Sequence, residues 1–106
     1  MQNDITVQEL SEILGKNPAS TLIDVREEEE HSESNIGGKL IPLGELEERF
    51  AEIPQEGPVY LYCRTGRRSR VALEYLKTKG YSNCYNVAGG IMAWLNEINA
   101  EGRPET

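Results

Sequence analysis

The sequence has few of the residues that bind metals or form cross-links, with two cysteines and one histidine in 106 residues. Cys63 and Cys84 are 21 positions apart, so they form neither a C-x-x-C redox motif nor a cysteine-rich zinc site. A disulfide between them is one alternative, but a reducing cytoplasm with two free thiols is the simpler one. We expect no metal site and no cofactor.

Long apolar runs are also absent. No stretch has the length and apolarity of a membrane-spanning helix. Residues 1–4 lack the basic and apolar segments of a signal peptide, although a signal peptide already removed would leave no trace. These absences predict a cytoplasmic protein that does not bind a membrane.

Basic residues are in the minority, 11 against 18 acidic ones, for a net charge of −7. Such a chain lacks the broad basic surface that binds nucleic acid. Four of the 11 basic residues nevertheless fall within residues 63–70, C-R-T-G-R-R-S-R, where no acidic residue occurs. The other 98 residues hold 7 basic and 18 acidic groups, a net charge of −11. This basic segment, residues 63–70, predicts the binding of an anion beside a thiol.

Short apolar runs alternate with helical patterns along the chain. Strands are predicted at 21–25, 39–41, 59–62 and 84–87, and helices at 6–15, 27–30 (a first turn), 43–50, 69–79 and 91–98. The polar tail, residues 99–106, is expected to fray. Strands that alternate with helices through short connections predict one α/β domain, with a parallel sheet covered on both faces.

Cys63 follows the predicted strand 59–62 and precedes a glycine-containing loop and a helix expected to start near Ser69. Open α/β folds place their sites at this edge of the sheet, and a loop that enters a helix directs N–H groups towards an anion. Gly66 provides the necessary backbone freedom. These donors, the helix dipole and the arginines favour a thiolate, so the Cys63 pKa should lie below about 8.5. Cys84, in a strand without basic neighbours, is expected to fill the core.

The alternative is that Cys63 is an inert, buried cysteine, which is the commoner state of this residue. Four arginines within the next seven residues are a poor setting for apolar burial. A reactive thiol is therefore the preferred interpretation.

Residues 63–69 resemble the active-site loop of the rhodanese-like sulfurtransferases, whose single-domain members often show C-x-x-G-x-R-S. Further segments are similar to motifs of that family in the same order: L-I-D-V-R-E at 22–27, residues 35–42, G-Y at 80–81 and G-G-I-M-A-W at 89–94. The resemblance covers about residues 5–98. It implies one domain over 1–106, with its core at about 5–98. The implied fold is a three-layer α/β/α arrangement with a central five-stranded parallel sheet.

Three positions depart from the family pattern. Asn35 stands where many members have histidine, Gly37 replaces the usual proline, and Lys39 replaces a small alanine. The replaced histidine is usually structural or peripheral in the family, so we expect the chemistry to be kept. His31 is not a register-shifted substitute. We expect it on the surface or half-buried near the end of a helical turn, not acting as a general base.

The resemblance implies a double-displacement reaction at Cys63. Its thiolate would take the outer sulfur of a small anionic donor such as thiosulfate, releasing sulfite and leaving a Cys63 persulfide. A thiol acceptor, including a protein thiol, or cyanide would then remove that sulfur. The catalytic residue is Cys63, and the expected substrate-binding residues are Arg64, Thr65, Gly66, Arg67, Arg68 and Ser69.

Within that set the side chains have different expected roles. Arg64 is the first choice for contacting the donor, because the planar guanidinium suits sulfur oxyanions. Arg68 is expected to pair with Asp24, at the end of a neighbouring strand, and Ser69 either donates to the persulfide or caps the helix. Arg70 is interpreted as surface decoration.

Two other functions remain open. A cysteine phosphatase or arsenate reductase of a related fold would have C-x5-R, but position 69 is serine, and the loop from Cys63 to Arg68 is one residue shorter. A persulfide carrier or binding module with little turnover is the second. Its docking face could be the acidic stretch 27–56, which holds 10 glutamates, although a solvated surface is the preferred interpretation of that stretch.

Overall fold

The computed structural model describes residues 3–98. Its strands are β1 Asp4–Ile5, β2 Thr21–Asp24, β3 Lys39–Leu40, β4 Val59–Tyr62 and β5 Cys84–Val87. Its α-helices are α1 Val7–Lys16, α2 Glu28–Glu33, α3 Leu46–Arg49, α4 Arg67–Thr78 and α5 Gly90–Ala93. Turns of 3-10 helix, Leu43–Glu45 and Phe50–Glu52, flank α3, and α5 continues as a π-helical turn, Trp94–Ile98.

The strands form one parallel sheet in the order β1-β5-β4-β2-β3. The register pairs Ile23 of β2 with Leu61 of β4, and Leu61 with Asn86 of β5. The carboxyl ends of these three strands therefore meet at one edge of the sheet. The predicted α/β class and the five-stranded parallel sheet are confirmed.

Both faces of the sheet are covered, because successive strand residues point to opposite sides. Leu22 and Val87 pack in a cluster with α1, α5 and the π-helical turn. Ile23 and Leu61 pack in a second cluster with α4 and the helical segment around α3. Their burial on both sides explains why the strands read as continuous apolar runs. The three-layer arrangement implied by the resemblance is confirmed.

Most predicted boundaries agree with the structure to within two residues. Thr6 and Glu9 form a capping box before α1, which ends at Lys16, one residue after Gly15. Helix α4 begins at Arg67, two residues earlier than expected. Strand β1, two residues long, is not predicted by the pattern. The tail predicted at 99–106 lies outside the described residues. Within residues 3–98, no helix has the length and apolarity needed to span a membrane.

The start of α5 packs directly on the segment that follows β4. The N–H of Ile91 donates to the carbonyl oxygen of Cys63 (2.9 Å), and the N–H of Met92 donates to that of Arg64 (3.0 Å). Gly90 makes this approach possible, since its φ is +60° and a Cβ there would collide with both carbonyl oxygens. These contacts fix the first two peptide carbonyls after the strand.

Replacement of Gly90 by alanine should therefore lower the free energy of unfolding by about 2–4 kcal/mol, from backbone strain and overpacking. Gly15→Ala is the matched control, because Gly15 lies in α1 and a Cβ added there would have no neighbouring atom within 4 Å. It should raise stability by up to about 1 kcal/mol. Urea denaturation measures both. Equal stability of Gly90→Ala and the parent would contradict the close packing.

Candidate active site around Cys63

Cys63 lies where β4 ends, and only residues 64–66 separate it from α4. Gly66 is the N-cap of α4 and has a left-handed backbone (φ +102°), a conformation that glycine adopts readily. A Cβ at this position would lie 3.2 Å from the backbone nitrogen of Gly89. The loop can therefore reverse tightly and point the start of α4 at the cysteine sulfur.

The Cys63 sulfur receives several hydrogen bonds from this turn. The backbone nitrogen of Gly66 lies 3.1 Å from Sγ and that of Ser69 lies 3.3 Å from it, and both donate. The Ser69 hydroxyl oxygen is 3.4 Å from Sγ. Ser69 is the third residue of α4, so its N–H belongs to the first turn, which has no partner within the helix. The sulfur takes the place that an anion occupies at a helix N-terminus.

The two cysteines are free thiols with pKa values shifted in opposite directions. Burial raises the pKa of Cys63, which is 1% exposed, but hydrogen bonds outweigh it and leave the pKa below the ordinary value. The donors are the Ser69 hydroxyl and the N–H groups of Ser69, Gly66 and Thr65. Cys84 has no such donors, and burial alone raises its pKa to about 11. Of the two thiols, Cys63 is therefore the one that ionises more readily to a thiolate.

A pocket of about 440 Å³ opens over the sulfur, lined by Cys63, Arg64, Thr65, Arg67, Arg68 and Val71. Arg64 and Arg67 are exposed. Within residues 3–98 neither guanidinium has an ion pair or a side-chain hydrogen bond. Val71 adds an apolar wall that is 56% exposed. The pocket therefore offers two uncompensated positive charges to a small anion.

The expected pairing of Arg68 with Asp24 is wrong. Arg68 forms a two-pronged ion pair with Glu30 of α2, with both N–O distances at 2.8 Å. This pair holds the pKa of Glu30 at about 2, well below its ordinary value. In the sequence Glu30 reads only as part of a solvated first turn, and nothing in a run of four glutamates singles it out. Arg68 thus lines the pocket with its charge already compensated.

Asp24 pairs instead with side chains that follow it in the chain. It is fully buried, and its carboxylate accepts from Arg26 Nε (2.9 Å) and Nη2 (2.8 Å) and contacts His31 Nδ1 (2.8 Å). Burial raises the Asp24 pKa, but these hydrogen bonds outweigh it and lower the pKa overall. Arg26 also donates to the Ser34 carbonyl. Asp24 therefore fixes α2 and the turn after it against the sheet, with His31 half-buried in that arrangement.

Asn35 and Arg70 have local structural roles outside the pocket. The Asn35 amide donates to the carbonyl of His31 and accepts from the N–H of Gly37, which has a positive φ of 108°. Asn35 thereby closes the turn after α2. The interpretation of Arg70 as surface decoration is wrong. Its side chain is only 16% exposed and pairs with Asp4 and Glu74, and the pair with Asp4 joins α4 to β1.

Asn86 of β5 is a site residue that the sequence pattern did not single out. Its side chain is buried, its Oδ1 accepts from the Ser69 hydroxyl (2.5 Å), and its Nδ2 donates to Asp4 Oδ1 (3.1 Å). A signal existed, because a polar residue inside a strand predicted to be buried needs a hydrogen-bond partner. The identity of that partner could not be read from the chain.

The two thiols should titrate separately in a sample whose cysteines carry 13C at Cβ. The Cys63 Cβ resonance should move with a midpoint below about 8.5, the value of an ordinary cysteine, and that of Cys84 should move only at much higher pH. Because the folded pKa of Cys63 is depressed, the thiolate stabilises the fold above the unfolded pKa. This contribution is lost as the pH falls through the folded pKa. A Cys63 midpoint at or above that of Cys84 would contradict the donor geometry.

Comparison with known proteins agrees with a site built around a reactive cysteine. Residues 6–97 match the Rhodanese-like domain family. A sulfurtransferase of Allochromatium vinosum is 37% identical over 95 residues, which are 89% of each chain. The Bacillus subtilis "Putative sulfur carrier protein YrkF" is 33% identical over 95 residues, 89% of this chain and 51% of that protein. This chain therefore spans about half the length of that relative.

The fold agrees with a solved structure as well. The crystal structure of a rhodanese-like domain protein from Staphylococcus aureus superposes with a TM-score of 0.81 and 31% identity. The match covers 88% of this chain and 91% of the other.

Proposed function

We propose that this chain, which belongs to the rhodanese-like domain family, transfers a sulfane sulfur through a persulfide on Cys63. The donor is a small anion of the thiosulfate type, and the acceptor is a thiol or cyanide. One observation carries the proposal. The Cys63 sulfur is buried yet receives N–H groups from Gly66 and Ser69, which suits a sulfur that bears negative charge.

The first half-reaction is a displacement at sulfur. The Cys63 thiolate attacks the outer sulfur of thiosulfate, the sulfur–sulfur bond of thiosulfate breaks, and sulfite leaves with the bonding pair. The product is the Cys63 persulfide anion, and no proton is consumed. Cyanide or a thiolate then attacks the outer persulfide sulfur and restores the Cys63 thiolate. Charge and atoms balance in both steps.

The basic segment supplies the attraction for the donor. Arg64 and Arg67 are exposed on the pocket wall and, in the part of the chain described, have no acidic partner. Arginine can donate paired hydrogen bonds to the sulfonate oxygens of thiosulfate. Thr65 and Gly66 provide backbone between these side chains, and Arg68 is held back by Glu30. We therefore assign donor contact to Arg64 first and Arg67 second.

The loop does not favour phosphatase chemistry. In a C-x5-R loop an arginine at position 69 would face the oxyanion, but Ser69 instead donates its N–H to the Cys63 sulfur and places its hydroxyl oxygen 3.4 Å from it. Arg68, the nearest guanidinium in sequence, is bound to Glu30. These contacts support chemistry at a single sulfur atom.

A persulfide carrier with little turnover is the second candidate, because one relative is named as a sulfur carrier. The chemistry at Cys63 is the same, and only the donor and the rate differ. A carrier would accept sulfur faster from a protein persulfide than from thiosulfate. Two free thiols support a reducing compartment, so we propose the cytoplasm.

Incubation with thiosulfate should add one sulfur atom to the protein, and cyanide should then release it as thiocyanate. Cys63→Ala should do neither, whereas Cys84→Ala, the matched control, should do both, since Cys84 is buried with a raised pKa. Intact-protein mass spectrometry and thiocyanate detection measure the two steps. Sulfur retained by Cys63→Ala would refute the role of Cys63. Sulfur gained only from a protein persulfide would favour the carrier.

Arg64→Ala should lower kcat/KM for thiosulfate by about ten- to a hundredfold, since a hydrogen bond to a charged group contributes about 1.5–3 kcal/mol. Lys16→Ala is the matched control. It removes the same charge at the opposite edge of the sheet, where Lys16 lines a groove with Thr21 and Pro58. It should change the rate little. The lifetime of the persulfide, once formed, should be less affected by Arg64→Ala. Equal losses in both variants, or in both quantities, would argue against donor contact by Arg64.

A further inference from the structure

Asn86 joins the active-site serine to the ion pair between Asp4 and Arg70. It is 4% exposed and lies on β5, next to the edge strand, between Ser69 and Asp4. Asp4 in turn pairs with Arg70. A chain of polar contacts therefore runs from the Cys63 sulfur through Ser69 and Asn86 to the edge strand β1.

The chemistry of the partners fixes the orientation of the Asn86 amide. The Asp4 carboxylate pairs with Arg70 and accepts from Asn86, so the NH2 group of Asn86 faces it and the Oδ1 atom faces Ser69. An amide oxygen has no proton to give. The hydrogen in the contact between Ser69 and Asn86 therefore comes from the Ser69 hydroxyl.

Ser69 has a single hydroxyl proton but two neighbours that can accept it. Asn86 Oδ1 lies 2.5 Å from Oγ, and Cys63 Sγ lies 3.4 Å from it. When the proton points at Asn86, only lone pairs of Oγ face the sulfur. That arrangement suits a Cys63 thiol, whose S–H can donate to the Ser69 oxygen. It does not suit a Cys63 thiolate, which needs to accept the Ser69 hydroxyl proton.

We propose that Asn86 is a positioning residue that competes with the Cys63 thiolate for the Ser69 hydroxyl proton and so sets how readily Cys63 ionises. On ionisation the thiol proton leaves to solvent, and the Ser69 O–H turns from Asn86 to the sulfur without leaving its oxygen. The functional meaning of this competition rests on the proposed role of Cys63 in sulfur transfer.

The charged groups around the sulfur lie on two sides. Arg64, Arg67 and the Arg68–Glu30 pair line the pocket. The Asp4–Arg70 pair lies beyond Asn86. A neutral substitution at Asn86 changes none of these charges. A change in the Cys63 pKa would therefore report the hydroxyl proton.

The test is the Cys63 pKa, read from the 13Cβ titration of cysteine-labelled protein in four variants. Asn86→Val has no acceptor and suits a strand, so Ser69 can donate to sulfur alone and the pKa should fall by about one pH unit. Ser69→Ala should raise the pKa. The double variant should match Ser69→Ala, because Asn86 acts through Ser69. Asn83→Val, at the opposite end of β5, is the matched control and should leave the pKa unchanged.

An unchanged or raised pKa in Asn86→Val would overturn the proposal, and so would a fall of the same size in the Ser69→Ala background. If Asn86→Val does not fold, the unmodified protein still provides a test. The side-chain 15N and NH2 resonances of Asn86 should shift with the midpoint of Cys63 as the O–H turns away. That shift should be largely lost in Ser69→Ala, and an undiminished shift there would be fatal to the idea.

None of these measurements needs a sulfur donor. If the Cys63 pKa depends on Asn86 but the protein takes up no sulfur, the proposed function is refuted and the role of Asn86 stands. If the protein transfers sulfur but its Cys63 pKa does not depend on Asn86, the role of Asn86 is refuted and the proposed function stands.

Discussion

A buried sulfur surrounded by hydrogen-bond donors that suit a negative charge is the constraint on which this site depends. Cys63 is 1% exposed, and burial of an unpartnered charge is strongly unfavourable. The N–H groups of Gly66 and Ser69 meet that cost only if α4 starts within four residues of the cysteine. The left-handed Gly66 makes the short turn possible. On the other side, the start of α5 holds the carbonyls of Cys63 and Arg64. The end of β4, the turn and the starts of α4 and α5 thus together hold Cys63 in this environment.

The same constraint explains how charge is distributed around the pocket. Of the four arginines in the basic segment, Arg68 and Arg70 are engaged by Glu30 and by Asp4 and Glu74. Arg64 and Arg67 are left to face the mouth of the pocket. Charges farther away than about 8 Å are largely screened at physiological ionic strength. The proposed attraction of an anion to Cys63 therefore rests on the two guanidinium groups that line the pocket and not on the net charge of −7.

The fold and the position of the thiol could be predicted because both depend on local patterns. Apolar runs such as β4, the capping box at Thr6 and the spacing from Cys63 to Gly66 are readable along the chain. Strand β1 was not, because two residues have no periodicity and the strand exists only through pairing with β5. The partner of Arg68 was missed for a related reason. Asp24 is at the correct edge, but Arg26, two residues on, already occupies its carboxylate, and only the packing of α2 brings Glu30 to Arg68.

In the proposed cycle, persulfide formation would move the negative charge from Sγ to the outer sulfur. A sulfur–sulfur bond is about 2.05 Å long, so that charge would lie one bond length away from Sγ. The N–H groups of Gly66 and Ser69 lie 3.1 and 3.3 Å from Sγ and would therefore serve the thiolate before and after each cycle. Arg64 and Arg67 line the same pocket and would be available to the outer sulfur. Once the charge had left Sγ, Ser69 would have no reason to donate there, and its proton could return to Asn86. The competition for one hydroxyl proton would therefore distinguish the two states of the cysteine with no change in covalent bonding at Ser69.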